Sequence, residues 1–480
     1  MIKKQKSEKG ELYTRAKGMR DITGDAFYAL QGFFEKAAEV AVYYGFKPIH
    51  TPILEKEALF TSGVGEGTDI VEKELYSLKT KGGTALAVRP EGTAGVMRAY
   101  IESGMHTEIQ PVMLYYYGPF FRHDQPQRGR YREFFQFGLE VLNTEKSIAD
   151  ALVIHMTYLI LREAGLRDLS VYVNSIGDRE CRPHYIRELV AYYRKHLNKV
   201  CDSCRMRIKE NPLRLLDCNN PQCTEFKEDA PDIMMFLCSG CKGHFREVLE
   251  YLDTLEIPYE IDHTLVRGLD YYTRTVFEIT ANVTSAGTKE KEKKDEPAGE
   301  PPLDTVPVVE NTPLPAQEPE VAEEKSTVPL SIASGGRYDY LGERLGSKRP
   351  LPSVGVGIGA DRVMMSPEFR PSNPRIIKKP KACLIQLGFE AKLKSLSVIE
   401  ILRKAKIPLA HSLSKDTLSA QLAIAEKLGV THALIMGKKE AHEGTVIVRN
   451  MQSRSQDTVR IDDLGDYLKK NMQKEKLNVQ

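Results

Sequence analysis

Two runs of the chain, PVMLYYYGPFFRHD (Pro111–Asp124) and YREFFQFGLEVL (Tyr131–Leu142), restrict its fold more than any other feature. Both have the aromatic and apolar make-up of strands, and only a short polar stretch parts them. So short a connection cannot hold a crossover helix, which makes the two strands antiparallel. The neighbouring pattern agrees. Residues 26–44 carry apolar side chains at helical spacing and end at Gly45, FKPIHTPILE reads as extended because proline biases its preceding residue away from helix, and ALAVRPEGTAGVMRAYI reads as a strand turning into a helix. This predicts an α+β domain, a mainly antiparallel sheet with flanking helices, and not regular βαβ alternation.

From KACLIQLG onward strands and helices alternate up to a last helix after Ile461, which predicts a separate α/β unit at residues 380–475. A chain of 480 residues exceeds one ordinary core in any case. Its net charge of +2 hides an asymmetry: from Lys381 to the end Lys and Arg outnumber Asp and Glu by 17 to 11, which places a basic unit on a mildly acidic body and suits an anionic partner. With 41% hydrophobic residues, 28% charged ones and no apolar run near the ~20 residues of a membrane span, the chain reads as a cytoplasmic globular protein with no membrane partner. Residues 1–11 form a basic tail lacking the apolar stretch of a signal peptide.

Residues 284–328 have a different composition, with runs of Lys and Glu, eight prolines between Pro297 and Pro329, and no aromatic side chain. Such a segment cannot bury enough apolar surface to offset its ordering entropy, so a disordered insert is expected, joining the strands TVFEITANV and PLSIASGGRYDYL as a long hairpin loop. Six of the eight cysteines crowd into Cys201–Cys241, as C-x2-C, then Cys218 and Cys223, then C-x2-C. Two thiolates two residues apart can reach one tetrahedral ion, so the expected structural zinc site is Cys201, Cys204, Cys238 and Cys241; free thiols packed as small hydrophobes are the alternative.

Three segments concentrate chemistry. FRHDQPQRGRYREFFQFGLE ends one strand at Arg122 and, by period two, puts Gln136, Gly138 and Glu140 on one face of the next. GVGIGADR sets small residues before Arg362, as where a strand runs close to a flat ligand and turns into a helix. LVRGLDYYTRTVFE, Leu265–Glu278, gathers Arg267, Asp270, Tyr271 and Tyr272 beside glycine; taken as extended backbone, it sends the two tyrosine rings to opposite faces. Guanidinium groups on two sides of one site can neutralise a polyphosphate, since they stay charged and grip phosphate oxygens in pairs.

Together these segments resemble the class II aminoacyl-tRNA synthetases, and within them the histidyl-tRNA synthetases. KPIHTPILE is similar to the first class motif, with Pro52 at the dimer interface, GPFFRHD and GRYREFFQFGLE to the second, and GVGIGADR to the third. LVRGLDYYTRTVFE and SGGRYDYL resemble segments peculiar to the histidine enzymes, and GVGEGTDIVEKELYSL and VRPEGTAG also look like them. The resemblance covers residues 12–283 and 330 to about 470. It implies a catalytic core at 12–174 and 252–370, an insertion domain with the cysteine cluster at 175–251, an anticodon-binding domain at 380–475, and a homodimer. The implied reaction takes histidine and ATP with Mg2+ to histidyl-adenylate and then to histidyl-tRNA(His).

Carried over position by position, the resemblance gives Arg267 the α-phosphate and histidine carboxylate, Arg122 the α-phosphate, Arg362 the γ-phosphate, and Arg130 a loop closing over ATP. Glu91, Thr93 and Gln136 take the α-amino group, Glu140 an imidazole nitrogen, and Tyr271 and Tyr272 shape the ring pocket, with Tyr338 nearby. Gln125 stands where the family often has arginine, in the loop that reads the extra 5′ nucleotide of the tRNA. Non-catalytic paralogues lose motif arginines or the C-terminal unit, whereas this chain keeps Arg122, Arg267, Arg362 and that unit.

Overall fold

The computed structural model describes residues 13–65, 67–125, 129–218, 220–284, 327–375, 377–412 and 416–477. The expected N-terminal tail and nearly all of the expected insert, 285–326, lie outside the described residues. The chain forms two compact units, Met1–Pro374 and Arg375–Gln480.

The first unit is built on an eight-stranded sheet. Its strands are β1 (Lys47–Pro48), β2 (Val112–Phe121), β3 (Glu133–Leu142), β4 (Leu169–Ser175), β5 (Glu260–Ile261), β6 (Thr273–Thr284), β7 (Thr327–Arg337) and β8 (Val354–Gly359), in the spatial order β1-β2-β3-β8-β7-β6-β4-β5. All internal pairs are antiparallel, and only the edge pairs β1–β2 and β4–β5 are parallel. The two aromatic runs form the hairpin β2–β3, in register from Val112↔Leu142 to Phe121↔Glu133. Thr284, Thr327 and Val328, which composition assigns to the insert, are strand residues, because Thr284↔Thr327 and Val283↔Val328 pairing satisfies their backbone whatever their side chains.

Period two divides the sheet into a packed face and a working face. Phe137, Leu139 and Val141 of β3, Val354, Val356 and Ile358 of β8, and Phe277, Ile279 and Ala281 of β6 belong to one buried core, against helices Gly24–Tyr43, Ser147–Glu163 and Ser239–Thr254. Each fully buried Leu, Ile, Val or Phe contributes about 1.5–3 kcal/mol, so this layer holds the sheet in place. A polar anchor crosses it. Arg337, wholly buried at the end of β7, is bound by Asp150 and Asp339 and donates to the carbonyls of Thr144 at 2.7 Å and Lys146 at 3.1 Å; Asp150 also meets His244, at 3.2 Å. Burial alone would raise the Asp150 carboxyl, but Arg337 and His244 bring it down to about 2.

Between Ser175 and Glu260 the chain is helical, with helices Arg182–Lys195, Asp202–Glu210, Pro221–Glu228 and Ser239–Thr254. The second unit is an α/β fold on a five-stranded sheet. Leu409–His411, Ala382–Gln386 and His432–Met436 run parallel, Thr445–Asn450 and Gln456–Arg460 continue antiparallel, and helices Phe389–Lys404, Leu418–Lys427 and Leu464–Leu477 complete it. Leu384, Val398, Leu402, Leu434 and Val446 make its core. Among the described residues no helix is long and apolar enough to cross a membrane.

Candidate active site

On the working face, β3 presents Gln136, Gly138 and Glu140 opposite Gly359, Gly357 and Gly355 of β8. Two of these glycines are spatially required: a β-carbon on Gly355 would overlap the Glu140 carboxylate, and one on Gly138 would overlap the Tyr116 ring. Above this floor opens a cavity of about 740 Å³, lined by Arg122, Arg130, Gln136, Arg267, Glu278 and Arg362 among others.

Each arginine is positioned differently. Arg122 lies just past β2; its Nε donates to the Pro90 carbonyl at 2.9 Å and its guanidinium sits 5.4 Å from the Phe134 ring centroid. Arg362 donates from Nε to the Gly129 carbonyl at 3.0 Å and from Nη1 to the Ser331 carbonyl at 2.7 Å. Burial, with Arg130 and Arg122 close by, depresses Arg362 to about 10. Arg267 is held by Glu278 at 2.8 Å and by the Ser334 hydroxyl, and its buried Nε has no partner. Arg130 is the most exposed of the four and pairs with Asp124 at 3.3 Å. Gln125 is exposed beside it.

Behind the cavity lies a second cluster, and the cavity itself does not reach it. Glu140 is completely buried; its Oε1 accepts from the Thr93 hydroxyl at 2.7 Å and from Tyr116 at 3.2 Å, and its Oε2 accepts from Tyr338. Burial lifts the Glu140 carboxyl to about 8; its hydroxyl donors hold it back from rising further, while nearby Glu91 adds to the lift. Glu91 accepts from the backbone amides of Thr93 at 2.7 Å and Ala94 at 3.0 Å, at the start of helix Thr93–Glu102, and from Tyr271 at 3.3 Å. Burial raises Glu91 as well. Two adjacent acids, Glu91 held chiefly by amides and Glu140 by hydroxyls, can read a ligand with both a positive end and a ring donor.

Two sequence expectations need correction. LVRGLDYY is not an extended strand: β6 begins only at Thr273, and the preceding residues turn, with the Asp270 amide donating to the Val64 carbonyl at 3.1 Å. The Tyr271 and Tyr272 rings therefore lie side by side, 4.7 Å between centroids, instead of facing apart. The four cysteines expected around one ion are divided between two groups. Cys201 and Cys204 assemble with Cys218 and Cys223, while Cys238 and Cys241 assemble with Cys181 and Asp178. Each C-x2-C pair sits at a helix start, of Asp202–Glu210 and of Ser239–Thr254, and the folded path brings a different partner pair to each.

The sequence gives no role to Tyr116 or to the Arg267 holders Glu278 and Ser334, and puts Tyr338 only near the pocket. A signal existed for Glu278: it follows Arg267 by eleven residues and period two puts it opposite the core-facing Phe277. For Tyr116, a run of three tyrosines leaves open which ring faces the site.

The histidyl-tRNA synthetase family model matches residues 18–178, and the anticodon binding domain model matches residues 381–471. A histidine–tRNA ligase of Dehalococcoides mccartyi is 37% identical over 459 residues, 96% of this chain and 100% of its own. The apo histidyl-tRNA synthetase of S. aureus has a similar structure, with a TM-score of 0.70 at 27% identity, covering 95% of this chain and 99% of its own. A Bacillus halodurans chain described as an ATP phosphoribosyltransferase regulatory subunit/histidyl-tRNA synthetase shares the fold at TM-score 0.56 and 19% identity, over 89% and 99%.

Proposed function

The chain belongs to the histidyl-tRNA synthetase family, and from that premise we propose how its side chains divide the work. As a class II histidine–tRNA ligase it joins histidine to ATP, supplied as the magnesium complex, and passes the histidyl group from the adenylate to tRNA. In the first step a histidine carboxylate oxygen bonds to the α-phosphorus as the bond to pyrophosphate breaks. Arg122 grips the α-phosphate, Arg362 the γ-phosphate, and Arg130 closes over ATP. Arg267 bridges the α-phosphate and the incoming carboxylate; Glu278 and Ser334 fix its guanidinium beforehand, so a permanent cation stands ready for the developing charge. Glu91, Thr93 and Gln136 take the α-amino group. Glu140 accepts from an imidazole nitrogen, with Tyr271, Tyr272 and Tyr338 around the ring.

The observation that carries this reading is the convergence of Arg122, Arg130, Arg267 and Arg362 on one cavity, where burial and the neighbouring cations push the Arg362 guanidinium down to about 10. A bound polyphosphate relieves that repulsion. The test is pyrophosphate exchange into ATP with each of the amino acids in turn. Exchange supported by histidine alone is expected, and exchange with a different amino acid would refute the assignment of the acidic pocket.

Three further readings accompany it. The basic C-terminal unit binds the anticodon end of tRNA(His). The chain works in the cytoplasm as a homodimer, supported by the exposed Ile53 and Leu54 beside Pro52; light scattering of the purified chain checks the mass. A structural zinc belongs to Cys201, Cys204, Cys218 and Cys223.

A further inference from the structure

We propose that the chain holds a second structural metal ion, a zinc bound by Asp178, Cys181, Cys238 and Cys241, which clamps the two ends of the helical insertion to the edge of the catalytic sheet. The four ligand atoms lie within 4.8 Å of one another. The Cys181 and Cys241 sulfurs are 3.8 Å apart, as are those of Cys201 and Cys218 in the four-cysteine group. Sulfurs bound at ≈ 2.3 Å to one tetrahedral zinc stand ~3.8 Å from each other, whereas a disulfide would bring them to ~2.05 Å. Every cysteine of the chain is free. In each group one sulfur pair thus stands at the spacing of shared tetrahedral ligands, with the other ligand atoms close by.

The surroundings supply what such a site needs. Backbone amides already donate to the would-be ligands: Asp178 N to Cys181 Sγ at 3.4 Å, Cys241 N to Cys238 Sγ at 3.4 Å, and Glu180 N to Asp178 Oδ1 at 3.0 Å. Arg274 approaches the Asp178 carboxylate at 3.5 Å, orienting it and offsetting the charge of a three-thiolate, one-carboxylate set. Cys181 and Cys241 are buried, and Cys238 is partly exposed, which leaves a route for the ion.

Position gives the site its purpose. Asp178 and Cys181 follow β4 directly, where the chain leaves the sheet; Cys238 and Cys241 open the helix Ser239–Thr254, which carries His244 back to Asp150 in the sheet's packed layer. One ion therefore joins departure to return. Arg182, next to Cys181, donates to the carbonyls of Ile176 and Gly177, both at 3.0 Å, and of Tyr272 at 2.7 Å, so the clamp also steadies the backbone of a histidine-pocket residue.

The experiment counts metal in the full chain, purified without chelator or polyhistidine tag, by native mass spectrometry, and then replaces zinc with cobalt. Thiolate-to-cobalt charge-transfer absorption scales with the number of bound thiolates. Two zinc ions per chain and the intensity of seven thiolates are expected. Cys181→Ser with Cys241→Ser should leave one zinc and four thiolates' intensity. Asp178→Cys, which keeps a ligand in place and so does not rest on a damaged fold, should keep two ions and raise the intensity to eight thiolates. One zinc or none in the parent chain, two zincs retained after the double serine change, or an unaltered cobalt band in Asp178→Cys would each overturn the proposal.

Discussion

Replacing Glu140 with glutamine should make the protein less stable at pH 5 and more stable at pH 9. Burial lifts this carboxyl from 4.5 to about 8, so between those values the unfolded chain has released a proton that the folded chain keeps. Stability therefore falls as pH rises through that window, and the full cost is present above pH 8. A gap of about 3.5 units, at ~1.4 kcal/mol each, sets a ceiling of about 5 kcal/mol on the cost of charging this group. Glutamine escapes that cost, but its amide nitrogen must face hydroxyls that now donate from Thr93, Tyr116 or Tyr338, at about 1–3 kcal/mol. The second term dominates at pH 5, where little of the charging cost has developed, and the first at pH 9, leaving the variant ahead by roughly 2–4 kcal/mol. The chain has no tryptophan, so urea unfolding is followed through tyrosine near-UV ellipticity. A stability difference that stays constant with pH would refute the placement of an uncharged Glu140 in the pocket. Histidine activation should fall sharply in the same variant, because an amide cannot ionise to meet a bound imidazole N–H as the Glu140 carboxyl can.

Arg267→His should slow adenylate formation by about 100- to 1,000-fold while sparing transfer from preformed histidyl-adenylate, since only the first step develops charge at phosphorus; equal slowing in paired single-turnover measurements would make it a general pocket residue. Asp150→Ala leaves the buried Arg337 to Asp339 and two carbonyls and should cost about 3–5 kcal/mol in urea unfolding, and a loss under ~1 kcal/mol would show that the buried pair is no anchor. Deleting residues 380–475 should raise the KM for tRNA far more than that for histidine or ATP, whereas a uniform rise would deny the unit a tRNA role. Replacing 286–325 by a short turn should leave pyrophosphate exchange intact, because Thr284 and Thr327 already pair and closure entropy changes slowly with loop length; a large loss would give the insert a part in the chemistry.

What the sequence made legible was whatever depends on local period. The β2–β3 hairpin, the shared face of Gln136 and Glu140, and the glycine strand opposite them all follow from alternation along one strand. In YYY at 115–117 alternation alone is ambiguous. The outcome is set by Phe137, against which Tyr115 and Tyr117 stack at 5.7 and 6.4 Å, leaving Tyr116 for Glu140. The cysteines fail for a related reason: spacing shows that two thiolates can share an ion, but which pairs meet depends on how four helices pack. Asp178, an ordinary loop acid by sequence, carries no local mark of its neighbours. LVRGLDYY misleads because its composition suits a strand, while a tertiary hydrogen bond from Asp270 to Val64 bends it.

The two faces of the sheet also differ in what they contribute. Phe137, Leu139, Val141, Val354, Val356 and Ile358 supply apolar burial on one side, and on the other the same strands present Gln136, Gly138, Glu140, Gly355, Gly357 and Gly359, which offer little apolar surface and include an acid that is unfavourable to ionise there. The working face is thus held together by residues it does not expose. The Glu140 carboxyl can sit in a pocket that raises it to about 8 because Gly355 leaves it room and three hydroxyls hold its oxygens, not because its own burial is favourable. A methyl group at Gly355 would overlap that carboxylate and press on the Leu139 carbonyl of the neighbouring strand at 2.8 Å. The same glycine therefore serves the pocket and the pairing of β3 with β8, which is what is expected where a functional acid is kept in place at a cost to stability.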